Sequence, residues 1–106
     1  MSRLTEVLDR LAATIEARRG ADPASSWTAK LLADPTLAAK KLGEEVVEAV
    51  LAAALKDGDA LAAESADVLY HLLALLAASG VSMDEVAAKL EAREGRSGVD
   101  EKASRS

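Results

Sequence analysis

The side chains best able to do chemistry in this 106-residue chain fall between positions 40 and 71. Glu44, Glu45 and Glu48 form one acidic cluster, and Glu64 and Asp67 form a second. Spacings of three and four place such residues on one face of a helix. At about 100° per residue, Leu37, Glu44, Glu48, Leu51 and Leu55 share one apolar stripe, with Lys41 and Glu45 at its flanks. On the next helix, Glu64, Asp67 and His71 share a face with Ala60, Ala63, Ala74 and Ala78. A carboxylate on a buried stripe is costly unless something compensates it. One reading pairs these acids with Lys or Arg, or leaves the edge of the stripe wet. The other follows from the short turn between the two helices, which makes them antiparallel neighbours. Glu44, Glu48, Glu64 and Asp67 then converge and repel one another. A hard divalent cation relieves that repulsion, and Mg²⁺ prefers oxygen ligands in octahedral geometry. The convergence of four acids favours the cation.

Other candidates flank this region. His71 is the sole histidine and lies one turn beyond Asp67, where a supporting or packing role suits it better than ligation. Trp27 and Tyr70 read most simply as core or dimer residues, with stacking on a nucleobase as the alternative. Lys40 and Lys41 sit one turn before the first acids. They are either solvated partners of Glu44 and Glu45 at i, i+4 or phosphate contacts beside a bound cation. No phosphate-binding Gly-rich loop, dinucleotide fingerprint or Ser/His/Asp order for acyl transfer is present. The absence of Cys excludes disulfides, thiolate metal sites and thiol catalysis.

The elements that must position these residues are helices. The sequence holds 24 Ala and 16 Leu, both strong helix formers, but only nine Val plus Ile and two aromatics. Sandwiches, barrels and Rossmann-type sheets need far more β-branched and aromatic residues. The net charge of −5 provides no global basic surface for a nucleic-acid backbone. The N-terminal segment mixes Leu with Glu, Asp and Arg and does not read as a signal peptide. The longest apolar stretch, 68–78, is broken by Tyr70 and His71 and is too short to span a bilayer. These features point to a cytoplasmic protein.

The spacing predicts a helix over 2–19 ending at Gly20, a short helix over 26–32, and a long helix over 35–56 opened by Asp34-Pro35. Gly43 inside that helix implies a close neighbour at its backbone. A third long helix covers 60–79, capped by Asp59 and closed by Gly80. Ser82 and Glu85 form a capping box for a last helix ending near 94. The expected fold is therefore an all-α antiparallel bundle of four main helices plus one short helix. Residues 1–94 form a single domain. Residues 95–106 are polar, and their composition predicts a flexible tail carrying Arg96, Lys102 and Arg105. The 60–79 helix is apolar on several sides, so a homodimer is expected to bury it.

The run Lys40-Lys41-Leu42-Gly43-Glu44-Glu45-Val46-Val47-Glu48 followed by Glu64-Ser65-Ala66-Asp67 resembles the EExxE…ExxD signature of the MazG-like all-α nucleotide pyrophosphohydrolases. Three further stretches narrow the resemblance. They are Ser26-Trp27-Thr28-Ala29-Lys30-Leu31-Leu32, Ala66-Asp67-Val68-Leu69-Tyr70-His71-Leu72-Leu73, and the ending Ser97-Gly98-Val99-Asp100-Glu101-Lys102-Ala103-Ser104-Arg105. Together they are similar to the phosphoribosyl-ATP pyrophosphohydrolase family of histidine biosynthesis over nearly the whole chain. Trp27 stands where that family commonly has Tyr, which leaves packing or stacking as the role of the position.

The resemblance implies hydrolysis of a small nucleotide substrate, phosphoribosyl-ATP, to phosphoribosyl-AMP and pyrophosphate, with Mg²⁺ as cofactor. It assigns Glu44, Glu48, Glu64 and Asp67 as ligands, and Glu45 as a further ligand or as the base that orients water. Glu45 and Glu48 are the catalytic candidates. Lys30, Lys40, Lys41, Arg96, Lys102 and Arg105 are candidate phosphate contacts. Trp27, Tyr70 and His71 support or stack. Two alternatives stand beside this reading: a house-cleaning pyrophosphohydrolase of non-standard nucleoside triphosphates, and a non-catalytic helical dimer.

Overall fold

A computed structural model describes residues 2–95. Among the described residues there are five helices and no strand: α1 (Arg3–Ala17), α2 (Trp27–Ala33), α3 (Pro35–Ala54), α4 (Gly58–Ala78) and α5 (Met83–Glu91). Local sequence explains where each begins. Ser26, Asp34 and Asp57 each accept a hydrogen bond from the backbone N–H three residues on, at Ala29, Leu37 and Ala60. Such side-chain oxygens satisfy donors that have no intrahelical partner. Ser82 and Glu85 complete a reciprocal capping box at α5. Asp57, not Asp59, is the cap of α4, because the preceding Lys56 adopts φ +56 and turns the chain two residues earlier than expected. At the C-termini, α1 stops at Ala17 and α5 at Glu91, short of the expected ends. Gly80 closes α4 at φ +73, a left-handed conformation natural to Gly.

The centre of the core is small. Leu31 of α2, Ala38 of α3 and Ala74 of α4 are fully buried, with Leu37, Tyr70 and Leu75 packed around them. Ile15 is the buried residue of α1, which packs on α4. Arg19, just past α1, donates to the Ala77 carbonyl of α4 at 2.9 Å while also holding Glu16. Helices α3 and α4 are joined by the three residues 55–57 and pack along one another as a hairpin. This contact decides which face of α3 is inward. The covered positions are Leu37, Ala38, Lys41, Leu42, Glu45, Ala49 and Ala52. Alanines admit the neighbouring helix closely, whereas Leu51 and Leu55 point away and are 56% and 79% exposed. The inward face is therefore rotated from the Leu37–Glu44–Glu48–Leu51–Leu55 stripe read from the sequence. Gly43 lies on the outer side, and nothing approaches the position of a Cβ there. The close neighbour expected at Gly43 is absent from the described residues.

Helix α4 also differs from its sequence reading in length. Counted as a whole it has 21 residues and a window of mean hydropathy 1.4, enough by length and composition to cross a membrane. Only 11% of that window is buried within the chain. The 68–78 stretch understated the helix because its apolar character continues through Leu61 and the alanines before Glu64. Between α3 and α4 lies an open apolar groove lined by Val46, Ala49, Val50, Ala53, Leu61 and Leu69, among others.

Candidate active site

Glu45 and Glu48 of α3 meet Glu64 of α4. One carboxylate oxygen from each lies within 4.8 Å of the others. Glu45 and Glu64 are half-buried, and Glu48 is exposed. The hairpin creates this convergence, since Glu45 lies on the inward face between Leu42 and Ala49, and Glu64 lies one turn before Asp67 on α4. The Oε2 atoms of Glu45 and Glu64 are buried and have no hydrogen-bond partner. A buried acceptor with no donor costs free energy unless a proton or a cation reaches it. The donor set is three hard oxygens, which suits a small divalent cation. Protons supply the other remedy. The Glu64 carboxyl is pushed up to about 7, first by the hydrogen bond that its protonated form would donate to Glu48, then by burial and by the charges of Glu48 and Glu45.

This shift sets an expected pH dependence. The folded chain holds a proton on Glu64 that the unfolded chain, near 4.5, releases. The stability contributed by that proton is fully present below the unfolded value and is lost as pH rises through the folded value of about 7. The metal-free protein is therefore expected to melt at a lower temperature at about pH 8 than at about pH 5.5. Glu64→Gln should flatten that slope, as calorimetry across the range would show.

The remaining sequence candidates divide into two groups. Glu44 is exposed and pairs with Lys41 at 3.3 Å, and so stands apart from the trio. Asp67 is also exposed, one turn beyond Glu64. The wheel favoured Glu44 over Glu45 because it weighted the leucines, whereas the alanines carry the helix contact. Lys40 is exposed on α3. His71 is buried, with Nδ1 2.8 Å from the Asp67 carbonyl oxygen, and its ring packs edge-on against Tyr70 with centroids 4.9 Å apart. Tyr70 packs on the core. Its hydroxyl is 2.5 Å from Thr28 Oγ1, a tie between α4 and α2 that periodicity could not reveal. Trp27 is not a core residue: it is 43% exposed. The Nζ atoms of Lys30 and Lys41 both lie 5.9 Å from its ring centroid. Arg96, Lys102 and Arg105 lie outside the described residues.

Comparison with known proteins places the chain in a family. The family model of phosphoribosyl-ATP pyrophosphohydrolase matches residues 8–94. A phosphoribosyl-ATP pyrophosphatase of Caulobacter vibrioides (strain NA1000 / CB15N) is 75% identical over 103 residues, 97% of this chain and 96% of its own length. One of Caulobacter sp. (strain K31) is 70% identical over 105 residues, covering 99% and 98% of the two chains. One of Cereibacter sphaeroides (strain KD131 / KCTC 12085) is 63% identical over 100 residues, covering 93% and 97%. Carboxylates able to share a cation meet a need of phosphoanhydride hydrolysis, and the chain is an enzyme of the hydrolase class. It belongs to the phosphoribosyl-ATP pyrophosphohydrolase family.

Proposed function

We propose that the chain hydrolyses phosphoribosyl-ATP to phosphoribosyl-AMP and pyrophosphate, the second step of histidine biosynthesis, with Mg²⁺ held at the carboxylate trio. The observation that carries the metal reading is the pair of buried, unpartnered Oε2 atoms of Glu45 and Glu64 beside Glu48. Glu45, Glu48 and Glu64 would hold the ion. Asp67 would join them from the next turn of α4, and Glu44 is a further ligand once it leaves Lys41. When bound, Mg²⁺ supplies neutralisation of phosphate charge and a lowered pKa for the attacking water. Glu45 and Glu48 would orient the attacking water, and either could accept its proton. Lys30, Lys40 and Lys41 bind phosphate oxygens that the acids alone would repel. Buried His71 holds the Asp67 turn through its backbone carbonyl.

An assay of pyrophosphate release tests the reaction. Phosphoribosyl-ATP should be strongly preferred over ATP and other triphosphates, and activity should vanish with chelator. Equal rates on ATP would refute the substrate assignment. Because Mg²⁺ competes with the Glu64 proton, its effect on melting temperature should grow as pH rises through about 7.

We further propose residues 1–94 as the catalytic domain and residues 95–106 as a substrate-binding tail. Arg96, Lys102 and Arg105 add cations to a chain of net charge −5. The 5-phosphate on the second ribose, distant from the triphosphate, is the group they would meet. Truncation after Glu94 should leave helix content and the Mg²⁺ response intact. It should lower kcat/KM on phosphoribosyl-ATP by ~10- to 100-fold, mainly through KM. An unchanged kcat/KM would reduce the tail to a solubilising role.

The partners proposed are the nucleotide and a second copy of this chain, in the cytoplasm, with neither nucleic acid nor membrane. The apolar α3–α4 groove and the low burial of α4 support the homodimer. A second subunit would cover what one chain leaves open. The acidic balance and the carboxylates on α4 weigh against the other two partners.

A further inference from the structure

Trp27 poses a question that the trio does not answer. It is the sole Trp of the chain, it is 43% exposed, and the core does not use it. Two ammonium groups from different helices converge on its ring, Lys30 of α2 and Lys41 of α3, each 5.9 Å from the centroid. The negative face of an indole attracts cations at this range. Two like charges gathered around one ring repel each other; Glu44 balances Lys41 at 3.3 Å, no acidic side chain is ion-paired with Lys30 among the described residues, and an incoming anion would meet Lys30 directly and displace Glu44 from Lys41. The helix that carries the ring is anchored. Ala29 and Leu31 of α2 are buried, and Thr28 hydrogen-bonds Tyr70 of α4. Lys41 lies one turn before Glu45, on the same side of α3.

We propose that Trp27 is a positioning residue for phosphate: its ring holds Lys30 and Lys41 at the edge of the acidic trio to receive the oxygens of a polyphosphate, and does not stack on the base. This deepens the proposed function and rests on it for the identity of the substrate. It does not depend on the metal assignment, because the ring and both lysines lie outside the trio.

Inorganic tripolyphosphate, which has no base, is the probe. Its affinity for the full chain is measured by calorimetry with and without Mg²⁺, alongside KM and kcat for phosphoribosyl-ATP. Trp27→Leu should weaken tripolyphosphate binding by about five- to tenfold and raise KM by a similar factor, with kcat within about twofold. Trp27→Phe, which keeps an aromatic face, should recover most of the loss. In a Lys30→Ala/Lys41→Ala background, Trp27→Leu should add nothing, since the ring acts through the lysines. A Trp27→Leu protein with raised KM but unchanged tripolyphosphate affinity would overturn the proposal in favour of base stacking. Full additivity of the three substitutions would also overturn it. Failure of Mg²⁺ to raise the melting temperature would refute the metal reading alone, because the metal-free tripolyphosphate titration still reports on Trp27.

Discussion

Glu64→Gln is expected to lower pyrophosphate release from phosphoribosyl-ATP by ~10³-fold or more, while raising the melting temperature of the metal-free protein above neutral pH. The two effects share one cause. Glu64 is the α4 member of a trio whose carboxylate oxygens lie within 4.8 Å of one another, and its buried Oε2 lacks a hydrogen-bond partner. Its carboxyl resists ionisation, first because its protonated form would donate to Glu48, then through burial and neighbouring charge. Gln keeps the shape, removes one charge from the cluster and provides an amide donor for the remaining carboxylates. Apo stability therefore gains what metal affinity loses, and the Mg²⁺-induced rise in melting temperature should largely disappear. Activity and thermal melting with and without Mg²⁺, measured on one preparation, check both halves. A Glu64→Gln enzyme that retains near-normal activity, or that Mg²⁺ stabilises as it does the parent, contradicts the site.

The second large effect is expected at Val50. In one chain it is 61% exposed and lines the α3–α4 groove. If that surface faced water in solution, Val50→Glu would change stability by no more than ~0.5 kcal/mol, as surface substitutions usually do. In the proposed dimer the same change buries an unpaired carboxylate against apolar side chains, at a cost of several kcal/mol. For a chain of this size that corresponds to a loss of ~10 °C or more in melting temperature. Sedimentation should show the parent as a dimer and Val50→Glu as monomer or unfolded chain. A Val50→Glu protein that remains dimeric with unchanged melting would exclude this groove from the interface.

Much of this molecule is legible in its sequence because helix starts are local. Asp34-Pro35, Ser26 and the Ser82/Glu85 box mark their helices through contacts three residues apart. The acidic signature and its flanking lysines are likewise visible as residue types at fixed spacing. Asp57 shows where locality ends. Two acids flank Gly58, and only the φ of Lys56 decides which one caps α4.

Sequence by itself determined the all-helical class, the helix order and the set of acids from which the site is drawn, since composition and periodicity depend on the chain alone. Tertiary structure decided which of those acids meet. Glu44 and Glu45 are adjacent and chemically identical, yet one pairs with Lys41 while the other turns toward Glu64. That choice rests on the rotation of α3 against α4. The rotation is set by close approach across Ala38, Ala49 and Ala52, not by the larger leucines that dominate a hydrophobic wheel. The meeting of Trp27 with Lys41 and of Thr28 with Tyr70 depends in turn on how α2 packs against α3 and α4. Such contacts join residues far apart in the chain, and no periodicity encodes the packing that brings them together.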